Sequence, residues 1–317
     1  MKTTILLTLL ALSTSTFAAE ADNFTANFLN LSDSSGPVNK LANEYLNQAV
    51  NKLNSEGECG QKESEAKLYE ELKKYFSNHS KGELVKTILY RHTIAKTELP
   101  LKESVYGEWK VTNGYLLGRK KAATSPLALS PLIQIGDQAI GVDKLEHMFG
   151  MGFSYFSQYY GKNKSIEHVL KVGILKEKTF LGGNVLATGV FSYGDLAANF
   201  NGMRFWNHVL LKDDDILGRE YNLGPYVACE NSKWTVKNEI DFRNYVDASM
   251  DESINCSKFA NKSGERKFKK AITAMGESCE GVSEKMNELK EKYKAQNIQH
   301  FILNDDGTDT VSYFNEF

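Results

Sequence analysis

The chain of 317 residues is long enough for one large domain or two small ones, and its 41% hydrophobic and 25% charged content suits a globular protein with a proper core. A net charge of −2 argues against the broad basic surface that nucleic acid or an anionic membrane would require. Five prolines and no low-complexity run argue against a long disordered linker.

The N-terminus carries an address. Lys2, the apolar run from Ile5 to Leu12 and then Thr16-Phe17-Ala18 read as a signal peptide, residues 1–18, cleaved before Ala19. The apolar run is too short to span a bilayer, and no later one is long enough. No cysteine stands at the cleavage point to carry a lipid. The expectation is an exported protein, periplasmic or secreted, that is not membrane-embedded. The four cysteines, Cys59, Cys229, Cys256 and Cys279, are even in number and lack C-x-x-C spacing, which predicts two disulfides rather than a thiolate zinc site. Cys256–Cys279 is the preferred local pair and leaves Cys59–Cys229.

Three regions follow the leader. Residues 19–100 form an N-terminal helical region. Apolar residues recur at helical spacing from Asn39 to Leu53, and further helices are expected over Glu63–Phe76 and Glu83–Tyr90. Nothing there suggests chemistry, and His79 and His92 read as solvent-facing. Residues 101–240 form a core domain. Leu132 to Ile140 reads as a β-hairpin turning at Gly136-Asp137. It leads into Asp143–Tyr160, the most apolar and aromatic helix of the chain. Lys212 to Asp215 reads as an acidic surface turn without the spacing of a calcium loop. Tyr221 to Trp234 reads as irregular. Residues 241–317 form a C-terminal helical region packed on the core, with Asp241–Cys256 a short polar helical stretch and charged helices around Cys279. The fold class is therefore α+β, predominantly helical, with a small β-hairpin region and disulfide staples.

The stretch from Ser165 to Leu210 holds the strongest functional signal. Ser165–Lys178 is an amphipathic helix with the stripe Ile166, Val169, Leu170, Gly173 and Ile174, and Glu177 falls on the same stripe. A carboxylate on a buried face costs several kcal/mol unless it is paired or protonated. A Gly182-Gly183 break and a β-like run follow, and a second helix opens at Ser192. Its apolar stripe of Leu196, Phe200, Met203 and Leu210 also contains Asn199. Capping accounts for Ser192 with Asp195, and equally for Asp143 with Glu146 at the start of the aromatic helix. It accounts for neither Glu177 nor Asn199. His147, one position on, would be held neutral by the helix N-terminus and donate a hydrogen bond.

A glycoside hydrolase needs a carboxylic acid kept protonated and a second acidic group across the scissile bond. Glu177 fits the first role, since burial and the negative end of a helix both oppose its ionisation. Asp195, Glu146 and Asp143 compete for the second. Tyr193, Asn199, His147, Phe205 and Trp206 supply the ring faces and polar groups that saccharide binding uses. ILKEKTF followed by SYGDLAANFNGMRFW resembles the lysozyme superfamily, in which a catalytic glutamate ends a helix, a short β segment follows, and a Y-G-Φ-Φ-x-x-N turn opens the next helix. Glu177, Tyr193, Gly194, Leu196 and Asn199 carry that match, over about thirty residues. The resemblance implies a lysozyme-like helical core, Glu177 as general acid, and peptidoglycan, native or deacetylated, or a related amino-sugar glycan as substrate. The chain departs from the pattern at Asp195, inside the turn, and has no aspartate in the β segment. GVDKLEHMFG, TGVFSYGDLAANFNG and DESINC together also resemble an exported bacterial family.

Two other readings remain open on the same residues. Asp143 with His147 and Asp195 with Asn199 are i, i+4 pairs on two helices, a geometry that could hold a divalent metal. The same four could instead be a buried hydrogen-bond network that pins the helices together in a non-catalytic structural or binding protein. No cofactor is expected, and no Ser-His-Asp, P-loop or dinucleotide pattern is present.

Overall fold

A computed structural model describes residues 20–61, 63–119, 128–178, 187–279 and 283–311. The leader and the Gly182-Gly183 break lie outside the described residues. The architecture is α+β and mainly helical. Helices α1 (Asn23–Ala26), α2 (Ser35–Glu56), α3 (Ser64–Leu72) and α4 (Glu83–Tyr90) precede a hairpin of β1 (Leu132–Ile135) and β2 (Gln138–Gly141). Then come α5 (Val142–Tyr159), α6 (Ile166–Lys178), β3 (Val190–Phe191) and α7 (Tyr193–His208). A second hairpin, β4 (Val227–Glu230) with β5 (Lys233–Val236), is followed by β6 (Lys258–Phe259), α8 (Lys262–Ala274), α9 (Glu284–Lys292) and α10 (Gln299–Ile302). All pairings of these strands are antiparallel: Leu132 opposes Gly141, Val190 opposes Phe259, and Val227 opposes Val236. No helix among the described residues is long and apolar enough to cross a membrane.

Both expected disulfides are present, Cys59–Cys229 and Cys256–Cys279. One hydrophobic core runs from Val38 on α2 through α5, α6 and α7 to Val311, so residues of all three sequence regions share it. A smaller cluster joins Phe24, Trp109, Phe259 and Phe268 near Cys256.

The centre of the fold is the crossing of α5 and α7. Lys144, Met148 and Gly152 follow one another at i, i+4 on α5, and Gly194, Ala198 and Gly202 do so on α7. A Cβ on Gly152 would stand 2.6 Å from the Gly202 Cα, and one on Gly202 would stand 2.1 Å from the Met148 carbonyl oxygen. Only glycine permits this approach. At the other end of the same seam, a Cβ on Gly194 would already meet the Lys144 Cε at 3.1 Å. The small residues of α7 thus set the distance at which the polar residues of the two helices face each other.

Several local expectations need correction. Tyr221–Trp234 is not irregular throughout: it contains β4 and the start of β5. Asp241–Cys256 is not a helix but two 3-10 turns, Phe242–Asn244 and Ala248–Met250, capped by Asp241 and Asp247. Short polar side chains bond their own backbone there and compete with a regular helix. The expected Asp143–Glu146 capping box does not form at α5. Its N-cap is Gly141, Asp143 turns inward, and Glu146 does not reach back. Ser192 does cap α7, accepting from the Asp195 amide at 3.1 Å. His79 is not solvent-facing. Its backbone N–H and its Nδ1 contact the Glu146 carboxylate at 2.6 and 2.7 Å.

Candidate functional site

The polar residues of α5 and α7 converge on a lysine. Lys144 is fully buried, and its ammonium donates to Asp143 Oδ2 at 2.8 Å, Asp195 Oδ1 at 2.7 Å and Glu252 Oε1 at 2.6 Å. All three of its protons are therefore used. Ser192 donates to the same Glu252 oxygen at 2.8 Å. The four carboxyl-bearing neighbours do not ionise alike. Burial pushes Asp143 up despite Lys144, and raises Glu252 to about 7 with the help of Asp195 and Asp143. Glu20, which accepts from Thr188 Oγ1 at 2.5 Å, is pushed well above the carboxylate range by burial and by the charges of Glu252 and Asp195. Burial also opposes ionisation of Asp195, but His147 and Lys144 outweigh it and hold that carboxylate below its ordinary range. Asp195 is the fixed anion of the cluster.

His147 links this interior to the edge. Its Nε2 lies 3.1 Å from Asp195 Oδ2 and its Nδ1 lies 3.0 Å from Asn199 Oδ1. The Nδ1 contact is a hydrogen bond, and Nε2 stands at ion-pair distance from the Asp195 carboxylate, which favours the charged ring. Burial would lower the His147 pKa, but the Asp195 charge and hydrogen bond, aided by Glu177, bring it to about 9. The sequence expectation of a neutral His147 is thus overturned: the carboxylate beside it is stronger than the helix N-terminus. Glu177 is buried at the last turn of α6, near enough for its charge to act on both His147 and the Tyr155 hydroxyl. Gly173 makes that possible, since a Cβ there would lie 1.6 Å from the Tyr155 oxygen.

The structure brings together Asp143, His147, Asp195, Asn199 and Glu177. It takes Glu146 elsewhere, to His79. Trp206 is a core ring whose indole N–H donates to the Phe149 carbonyl at 3.1 Å, and Phe205 packs beside it among aromatic residues. Tyr193 is half-buried and lines a cleft of about 260 Å³ with Ile174, Lys178, Phe191, Lys258 and Asn304. Ile174 and Lys178 bracket Glu177 on α6. The residues sequence reasoning missed are Lys144, Glu252 and Glu20. Lys144 had a signal, because it lies on the otherwise apolar Met148–Gly152–Tyr155 stripe of α5. Glu252 and Glu20 are brought in from distant turns and had none.

The metal reading does not fit this arrangement. The ammonium of Lys144 already sits among the carboxylates that a divalent ion would use, and no metal-competent group of His, Cys, Asp and Glu occurs among the described residues. Comparison with protein-family models, with curated proteins and with solved structures gave no match.

Proposed function

We propose that the protein is an exported, lysozyme-like glycoside hydrolase acting on peptidoglycan or a related amino-sugar glycan. Glu177 and His147 are its acid–base pair, at the edge of the Lys144 cluster. The observation that carries this reading is the burial of Glu177 at the end of α6, where its charge acts on His147 and where Ile174 and Lys178 of the same helix line a cleft with Tyr193 and Phe191. An exposed Glu177 would have removed its basis. Asp195 does not serve as the second carboxylate, because Lys144 and His147 occupy it. It acts through His147 and is a positioning residue. Glu146 is committed to His79.

In the reaction the leaving-group oxygen takes a proton from the pair through Glu177 as the glycosidic C–O bond breaks. Water, or a group of the sugar itself, attacks the anomeric carbon, and the proton released restores the pair. His147 holds a proton at neutral pH, and Asp195 keeps it oriented. Asn199 bonds that imidazole and does not face the cleft as a sugar ligand. The two disulfides fit an oxidising compartment. The test is incubation of the purified protein with native and with deacetylated peptidoglycan, reading released fragments by mass spectrometry. Soluble muropeptides or amino-sugar oligosaccharides are expected. No release from either polymer under any condition of pH would contradict the assignment.

A second reading is favoured by one observation. Lys144, Asp143, Asp195 and Glu252 are all nearly inaccessible, so no substrate reaches them. That inner cluster is a structural lock between α5, α7 and the 251–256 turn.

A further inference from the structure

Tyr155 is a buried titratable group that the chemistry above leaves unused. It lies on α5 about two turns beyond His147, and only 1% of its surface is exposed. Its hydroxyl rests against Gly173 of α6, where a Cβ would stand 1.6 Å from the oxygen. Only glycine leaves room for it there. Glu177 follows Gly173 one turn later on the same face of α6. Side chains of an α-helix lean toward its N-terminus, so the Glu177 carboxylate leans back over Gly173 and toward the Tyr155 hydroxyl. Asn199 of α7 approaches the same hydroxyl and also carries the His147 contact, with 3.0 Å between its Oδ1 and Nδ1 of the ring.

The Tyr155 hydroxyl has no hydrogen bond at ordinary distance among the described residues. An enclosed hydroxyl in that state is costly, and the hydrogen bonds of a working site are often long until substrate closes it. Burial pushes the phenol up, the Asn199 amide beside it opposes that, and the Glu177 charge adds to it. Two groups therefore bear on one unsatisfied hydroxyl. A carboxylate only accepts, whereas a hydroxyl donates and accepts. With its proton turned to Glu177, Tyr155 offers its lone pairs to Asn199 Nδ2. The amide is then held against a flip, and its Oδ1 stays turned to His147, where with Asp195 at Nε2 it favours the charged ring.

We propose that Tyr155 is a positioning residue of this site: its hydroxyl donates to Glu177 and accepts from Asn199, so that a directed chain from His147 through Asn199 and Tyr155 ties the histidine to the Glu177 carboxylate. The chain passes orientation and not a proton, since the Asn199 amide does not titrate. Its part in cleavage rests on the hydrolase reading; the chain itself does not.

Tyr155→Phe removes the hydroxyl and keeps the ring. The His147 imidazole is titrated by NMR in the wild type and in this variant, with thermal midpoints taken to confirm folding. Asp195, Lys144, Glu177 and Asp143, whose charges also act on that ring, are the same in both. Without the hydroxyl the amide can turn its Nδ2 to the ring. The His147 pKa is therefore expected to fall from about 9 by roughly half a unit or more, a roughly threefold loss of proton affinity. An unchanged or raised value overturns the proposal. In peptidoglycan release the variant is expected to lose kcat by about tenfold with KM little changed, and a wild-type kcat overturns the proposal equally. A wild type that releases nothing removes the hydrolase reading alone, and the titration then judges the chain. Should Tyr155→Phe fail to fold, the hydroxyl proton of Tyr155 in the wild type, read by NMR, decides. A signal shifted downfield by a carboxylate acceptor is expected, and one at the position of a free phenol overturns the proposal.

Discussion

Helix α7 carries a buried charge cluster at each end, and the two are built on opposite plans. At its C-terminal end Arg204 meets a single acid, Asp215, through Nε at 2.9 and 3.1 Å, and bonds Asn201 through Nη1 at 2.7 Å. Asp215 also accepts from Leu217 N at 2.9 Å, and Tyr245 and Tyr226 extend the chain from His208 at 2.7 and 2.6 Å. One cation faces one anion. At the N-terminal end one lysine and one histidine face four acids. The two histidines report the difference. Burial pushes His208 down, and the Asp215 contact does not overcome it with Arg204 nearby. Burial acts on His147 too, but Asp195 and Glu177 raise it to about 9. A balanced pair leaves its histidine neutral and serves the fold. A surplus of acid leaves its histidine charged.

The largest effect that separates the two plans is expected at Lys144. Lys144→Met leaves three acids buried without their common cation and should cost about 3–5 kcal/mol or prevent folding outright, read by denaturant unfolding. Arg204→Met should cost up to a similar amount, but the double change Arg204→Met with Asp215→Leu should recover most of it, since a buried pair can be exchanged for apolar groups at little net cost. No single second change should rescue Lys144→Met. A one-step rescue there would erase the distinction between the clusters.

The pH dependence is next in size. His147 has a folded pKa raised from 6.5 to about 9, so its contribution is fully present below about 6.5 and is lost as pH rises through about 9, a loss of about 3 kcal/mol. Glu252, raised from 4.5 to about 7, acts in the same direction, because the folded state holds its proton longer than the unfolded state between those values. His208 has the opposite sign: its folded pKa is lowered, so stability falls as pH drops below about 6.5. Unfolding curves should show His147→Gln flattening the alkaline limb and His208→Gln the acid limb. The converse would contradict the assigned charges. The smallest effect concerns spacing. Gly152→Ala forces apart the helix crossing that α7 sets with Gly202, and about 1–3 kcal/mol of destabilisation is expected in the same unfolding assay.

Much of the fold was legible because it rests on local pattern. Helical periodicity placed α2 and α6, the hairpin turn placed β1 and β2, and the even cysteine count gave both disulfides. Polar residues on apolar stripes marked Glu177 and Asn199. What failed was of two kinds. Asp143 and Glu146 fit a capping box by spacing, but tertiary charge drew one inward to Lys144 and the other to His79. Asp215 fit a surface turn by composition, yet Arg204 and His208 bury it. A buried ion pair is a long-range event, and single-sequence pattern records only one partner at a time. Glu252 and Glu20 lie far from Asp195 along the chain, one on either side, and no periodicity connects them.

The central claim is that the edge of the acid-rich cluster does chemistry through Glu177. The most direct measurement compares the mature protein with Glu177→Gln for release of soluble fragments from purified peptidoglycan, with unfolding midpoints taken on both. Gln keeps the size of the side chain and removes the carboxylate through which the His147 proton reaches the leaving group. The account predicts a folded variant whose cleavage rate falls by at least about a hundredfold. An active wild type with a Glu177→Gln variant that retains its full rate would contradict it.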